Sequence, residues 1–208
     1  MAITYPINPP TTGISGVTLI ARDATAATAS PFTFAQQVQR NQGSRWEADI
    51  SLVPMERADA ESWITFLMKL YGSYGTFLIG DPNASTPRGS ASSAPGTPLV
   101  NGASQTGDTL NIDGLPASAT GYLKAGDYIQ LGSAATSQLY KVLDDADSNA
   151  SGEASLTIWP DLRSSPADNA TVVVSNARGL FRLATSGTDW SISNAGFYSM
   201  SFGAVEAL

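Results

Sequence analysis

The stretch from Val53 to Pro82 constrains this chain more than any other. It reads as the end of a strand, one strong helix, Gly72, a short strand over Thr76–Ile79, then Gly80-Asp81-Pro82. Ala60, Trp63, Ile64, Leu67, Met68 and Tyr71 fall at i, i+3, i+4, i+7, i+8 and i+11. That spacing puts all six on one stripe of a 3.6-residue helix. Glu56, Asp59 and Glu61 crowd the first turns, where the helix dipole favours negative charge, and Lys69 sits in the last. Gly72 is placed to stop the helix, so the expected span is about residues 56–71. The stripe is expected to pack on a sheet, because everything around it has the texture of β-structure.

Period-two alternation is clearest just upstream. Trp46, Ala48, Ile50 and Leu52 alternate with Glu47, Asp49 and Ser51, which predicts a half-buried strand. Before it, Val17–Arg22 reads as a short strand, Asp23–Ser30 as a turn, and Phe32, Phe34 and Val38 as the next strand. Arg40–Ser44 reads as a turn with Gly43 at its tip. Met1–Gly16 is rich in Pro, Thr and Gly and is expected to be an extended arm.

After Pro82 the texture changes. Asn83–Thr97 has linker chemistry, with too little apolar material for a core. Short strands then follow at Thr109–Ile112, Tyr128–Leu131, Leu139–Leu143, Ala154–Trp159 and Thr171–Val174. Five or six strands at that density suggest a small closed barrel or sandwich. The texture returns with a strand at Gly179–Leu183, a turn at Thr188–Trp190 and a terminal strand from Ala195 to Val205. The expectation is a mainly β chain: a β-sandwich body of residues 1–90 and 176–208 with one helix, interrupted by a β-barrel inserted at 91–175. Trp46, Ile50, Trp63, Leu67, Phe77, Phe181, Trp190 and Phe197 are its expected structural core.

Charge follows the same division. The chain has 11 basic and 18 acidic residues, net −7. Between Ser90 and Ser175 three bases face nine acids, net −6, which leaves −1 elsewhere. No Lys/Arg cluster is available to neutralise a phosphate backbone, so sequence-specific nucleic-acid binding is not expected. Nor is membrane insertion, since apolar runs are a few residues long. No leader-like segment opens the sequence and cysteine is absent, so folding in a reducing cytoplasm is expected.

The inventory of reactive side chains is thin. Without histidine or cysteine, triads, thiolate chemistry and imidazole-ligated zinc are excluded. No phosphate-binding glycine loop is present, and an enzyme is not expected. No cofactor is implied. Asp145, Asp147 and Asn149 stand at the first, third and fifth positions of a calcium-type loop. Ala150 and Leu156 fail its sixth and twelfth positions, so a solvated hairpin loop is the better reading. Arg163 is expected to pair with Asp161 or Asp168. Tyr122, Tyr128, Tyr140 and Trp159 are the aromatics that could stack on a glycan if they prove exposed and coplanar.

Several blocks carry a family resemblance. The run Trp46–Leu67 (WEADISLVPMERADAESWITFL) followed by Tyr74–Pro82 (YGTFLIGDP) resembles the tail-tip proteins of long-tailed bacteriophages. So do Ala125–Gly132 (AGDYIQLG), Leu139–Val142 (LYKV) and Gly179–Leu183 (GLFRL). The nearest class is the distal tail protein, with its counterpart in phage-like gene transfer agents. The resemblance implies a structural virion component, a ring of commonly six copies that closes the tail tube. It would join the tube protein to hub and fibre proteins and let DNA pass, after assembly in the host cytoplasm. Two alternatives stand beside it. One is a carbohydrate- or receptor-binding module using the inserted β-domain. The other is a tube or terminator part of the same tail.

Overall fold

The computed structural model describes residues 3–208, so the start of the expected N-terminal arm, residues 1 and 2, lies outside the described residues. The chain is mainly β, with one α-helix and a nearly closed six-strand barrel-like sheet. In chain order the elements are β1 (Ile14–Ala29), β2 (Gln36–Leu52), α1 (Arg57–Lys69), β3 (Phe77–Ile79), β4 (Leu99–Val100), β5 (Gly107–Asp113) and β6 (Tyr128–Leu131). They continue with β7 (Gln138–Val142), β8 (Ala154–Leu162), β9 (Val172–Val173), β10 (Gly179–Leu183), β11 (Ser191–Ile192), β12 (Tyr198–Ser199) and β13 (Ser201–Glu206).

The first sheet has the order β1-β2-β13-β10-β3. Its last strand in sequence, β13, is the middle strand in space, paired with β2 on one side and β10 on the other. Trp46, Ala48, Ile50 and Leu52 are all buried on one face of β2, as their alternation predicts. Asp49, Ser51 and Ser201 are exposed on the other.

Helix α1 covers the apolar face with Ala60, Trp63, Ile64, Phe66 and Leu67. Trp63 meets Phe66 edge-on at 5.8 Å and Phe202 at 6.0 Å, and Phe66 meets Phe77 at 5.6 Å. Burial of this stripe supplies most of the stability of a short helix. The buried arc is rotated from the expected one. Phe66 and Leu70 are buried on the Trp63 flank, whereas Met68, on the Ile64 flank, is exposed. Tyr71 is also exposed, because the helix ends at Lys69 and Tyr71 already has a left-handed backbone with φ 50.

The second sheet has the order β4-β5-β8-β7-β6-β9. A bridge between Leu99 and Thr171, flanked by the Val172 amide donating to the Pro98 carbonyl, draws its two ends together. Leu110, Ile112, Leu123, Ile129, Val142, Leu156 and Ile158 fill its interior. Its β7 and β8 wall lies against β2 and β10 of the first sheet, with Leu139 and Tyr128 joining the first core.

Two expected core residues are not core. Trp190 is 39% exposed and Phe197 42% exposed. The region expected as one terminal strand splits at Met200 into β12 and β13, and β12 pairs with β11 as a separate two-stranded ribbon. A two-strand ribbon offers little apolar cover to its own side chains. Trp46, Ile50, Trp63, Leu67, Phe77 and Phe181 are buried in the first core.

Candidate functional site: the hairpin arm and its clamp

The largest departure from the sequence expectation is between Asp23 and Ser44. The expected turn at Asp23–Ser30 is strand, and so is the expected turn at Arg40–Ser44. Together β1 and β2 make one hairpin whose paired register runs from Ile14↔Leu52 out to Ala29↔Gln36. Six residues, Ala24–Ala29, extend beyond the last pair near the body, Arg22↔Arg45. At about 3.3 Å per residue they form an arm about 20 Å long.

Among the described residues none buries a side of this arm. Its strands read Ala-Thr-Ala-Ala-Thr-Ala opposite Gln-Gln-Val-Gln-Arg-Asn, with no buried side. Around the turn the Phe34 amide donates to the Ser30 carbonyl at 2.9 Å, and the Ser30 amide to the Ala35 carbonyl at 2.9 Å. Phe32 is 91% exposed and Phe34 80% exposed. A bare two-stranded ribbon is marginal in water, so its base must be held.

The base is held by the second sheet. Between Arg22↔Arg45 and Ala24↔Asn41 the register slips, leaving residues 42–44 opposite Asp23. Gly43 is therefore a bulge residue rather than a turn tip, and a Cβ there would lie 2.8 Å from that of Ala24. Into this bulge β8 and the residue just past it project Trp159, Asp161 and Arg163, which alternate onto one side. Asp23 Oδ1 accepts from Ser44 Oγ at 2.7 Å and from the Trp159 indole N–H at 2.9 Å. Arg40 Nη2 donates to Asp161 Oδ1 at 2.5 Å. Trp159 packs edge-on against Trp46 at 4.5 Å, and the Trp46 indole donates to the Leu139 carbonyl at 2.9 Å.

Beneath the clamp lies a buried ion pair. Glu206 accepts from the Trp46 amide at 2.9 Å and from Arg163 through both Nε and Nη2. Arg163 Nη1 also donates to the Ser44 carbonyl at 2.6 Å. The expected pairing of Arg163 with Asp161 or Asp168 is thus corrected. Residues 161 and 163 point side by side at the first sheet, and each takes a partner there. Burial raises the Glu206 carboxyl above its ordinary value, against the pull of the Trp46 amide and Arg163.

The Asp23 carboxyl is shifted the other way, lowered by its bond from Ser44 first and from Trp159 second. A lowered folded value means the clamp's contribution is present above the ordinary carboxylate range and is lost as pH falls through the folded value. Trp159 fluorescence should therefore stay constant from neutrality down to about pH 4 and shift only below it. Asp23→Asn should remove that acid transition; a transition unchanged in the variant would show that Asp23 does not control it.

The remaining sequence candidates fall elsewhere. Tyr122, Tyr128 and Tyr140 are buried, and only Trp159 keeps part of its surface. Burial pushes the Tyr122 and Tyr140 phenols up to about 12, and their hydroxyls donate to the Pro95 carbonyl and to Gln138. These four do not form an open stacking platform. In the Asp145–Gly152 loop, Asp145 accepts from Lys124 Nζ and the Ala125 amide, and Asp147 from the Gly121 amide. Those carboxylates fasten a turn, and among the described residues no His, Cys, Asp or Glu group is set to hold a metal. Asp127, buried, ties the Arg88 and Lys124 amides in the same region.

No family model matches this sequence, and no curated protein matches it.

Proposed function

We propose that this chain is a structural subunit of a phage tail tip, a distal tail protein that works as a ring of copies. In this reading the ring, expected to contain six subunits, joins the tail tube to the hub and fibre proteins and leaves a lumen for DNA. The subunit needs no cofactor and no catalytic group, and it reaches the virion by assembly in the host cytoplasm.

The observation that carries the proposal is surface without cover. A monomer of 21.6 kDa is expected to expose about 9,200 Å². This chain exposes 11184 Å². The excess of about 2,000 Å² is close to what two ordinary interfaces, at about 800 Å² per partner each, would bury on one subunit. The bare arm, with Phe32 91% and Phe34 80% exposed, is one part of that surface. The outer edge of β1, a 16-residue strand at the end of its sheet, adds a second unpartnered feature. Only Arg22 and Asp23 bring charge to that strand, and no proline interrupts it. Such an edge is a template for another strand unless a partner takes it.

The alternative of a glycan-binding module loses its residues, because three of its four aromatics are interior. Negative-stain imaging of the purified protein tests the proposal, with sedimentation over a wide concentration range. Closed rings are the expected result. A chain that stays monomeric throughout, alone and with tail-tube and hub proteins, would overturn it.

A further inference from the structure

A contact that closes a ring joins two unlike patches, one on each flank of the subunit. Among the described residues the exposed large apolar side chains, apart from Val53, Leu143 and Leu208, fall into three groups. Phe32, Phe34 and Val38 lie at or near the arm tip. Met68 lies in the last turn of α1, and Tyr71 and Tyr74 follow its end. Ile192 on the β11–β12 ribbon, with Trp190 and Phe197 directly beside its strands, forms the third group, which is on average better covered.

Two observations single out the first two groups. Of the described non-glycine residues with positive φ, only Phe34 (φ 55) and Tyr71 (φ 50) are aromatic. That backbone region disfavours large side chains, and residues held there concentrate where function requires a particular display. Phe34 is 80% exposed and Tyr71 71% exposed, so at both sites an aromatic ring stands outward on an unfavourable backbone, and Tyr74, close in sequence to the second, is 77% exposed.

The second observation is placement. The arm springs from the β1 edge of the five-stranded sheet, and β3 is the opposite edge. Ile7 bridges to Phe77 along β3, and Tyr5 donates its hydroxyl to the Lys69 carbonyl at 2.6 Å. Tyr5 then meets Tyr74 edge-on at 6.0 Å, which leaves a face of the Tyr74 ring open. Four strand spacings, about 19 Å, separate the two edges. Side-by-side copies bring the β1 edge of one toward the β3 edge of the next.

We propose that the arm tip of one copy, through Phe32 and Phe34, docks on the Tyr5, Met68, Tyr71 and Tyr74 surface of a second copy. Phenyl rings against tyrosine faces give aromatic contact, and the phenol hydroxyls stay at a hydrated rim. The uncovered area argued above is enough for one such contact on each flank. The proposal rests on the ring reading and adds to it the two surfaces that meet.

Because the chain has no cysteine, crosslinking tests it directly. Phe34→Cys with Tyr74→Cys, oxidised where the wild type assembles, should give a ladder of dimers, trimers and larger species on a denaturing gel. Phe34→Cys alone, and Phe34→Cys with Ile192→Cys, should stay monomeric on that gel. A ladder from the Ile192 pair, or dimers from Phe34→Cys alone, would overturn the assignment. Phe32→Ser/Phe34→Ser should raise the concentration for half-assembly about tenfold or more, as loss of interface anchors does, with the Tm unchanged at concentrations where both proteins are monomeric. Wild-type rings together with undisturbed assembly of that variant would overturn the contact and leave the ring reading standing. A wild type that never associates would overturn both. Phospholipid vesicles are the competing occupant: pelleting of the wild type with them, lost in Phe32→Ser/Phe34→Ser, would assign the tip to a lipid surface instead.

Discussion

Replacing Glu206 with alanine is expected to lower the unfolding free energy by about 3–5 kcal/mol, the cost of leaving a buried charge unpaired. The residue is 5% exposed, and three donors converge on it from β2 and from the residue past β8. Removing its carboxylate strands the Arg163 guanidinium, whose side chain is only 15% exposed, and leaves the Trp46 amide without an acceptor. The sign of the pH effect follows from burial. A raised folded value means that ionised Glu206 counts against the folded state above its ordinary range, and that this penalty shrinks as pH falls toward that range. Arg163→Met/Glu206→Leu should therefore recover much of the loss, because it removes both charges and keeps the volume. Urea unfolding of the wild type, Glu206→Ala, Arg163→Met, Glu206→Leu and the double variant decides the matter. A single variant that costs under about 1 kcal/mol, or a double variant as weak as the sum of its parts, would mean the pair is not the junction described.

Trp63→Ala is the second large effect, also about 3–5 kcal/mol. Trp63 is the largest fully buried side chain of α1, set among Phe66 and Phe202, and its indole donates to the Thr12 carbonyl at 2.8 Å. Truncation opens a cavity between helix and sheet and frees the N-terminal segment. Hydrogen exchange should report lost protection in β2, β10 and β13 before β5 and β8, because the second sheet has its own core. Uniform loss across both sheets would instead mean that the two cores unfold as one unit.

How much of this was legible in the sequence depends on whether a side of the element is apolar. The strand at Trp46–Leu52 and the helix announce themselves by periodicity, and Tyr128–Leu131 and Gly179–Leu183 fall on β6 and β10. The arm does not, because Ala-Thr-Ala-Ala-Thr-Ala has strand backbone and no face to bury. Gly43 suggested a tip because a bulge and a turn both favour glycine. The clamp was illegible for a different reason. Asp23 and Trp159 are 136 residues apart, and Arg40 and Asp161 are 121 apart. The alternation of Trp159, Asp161 and Arg163 was the one local sign that β8 shows a polar face to something. Trp190 and Phe197 misled because an isolated aromatic in a β-rich chain usually marks a core.

The central position of β13 sets a schedule for synthesis. About 150 residues separate Leu52 from Ser201. At a ribosomal rate of about 5–20 residues per second, β2 waits roughly 7–30 s for its inner neighbour. During that interval the six-strand barrel, which is contiguous in sequence, can close while β2 and β10 still have bare edges. The clamp residues of β8 are then in place before the first sheet is complete. The nascent chain thus holds an unpaired edge of β2 beside the barrel until residue 206 emerges and fills the gap.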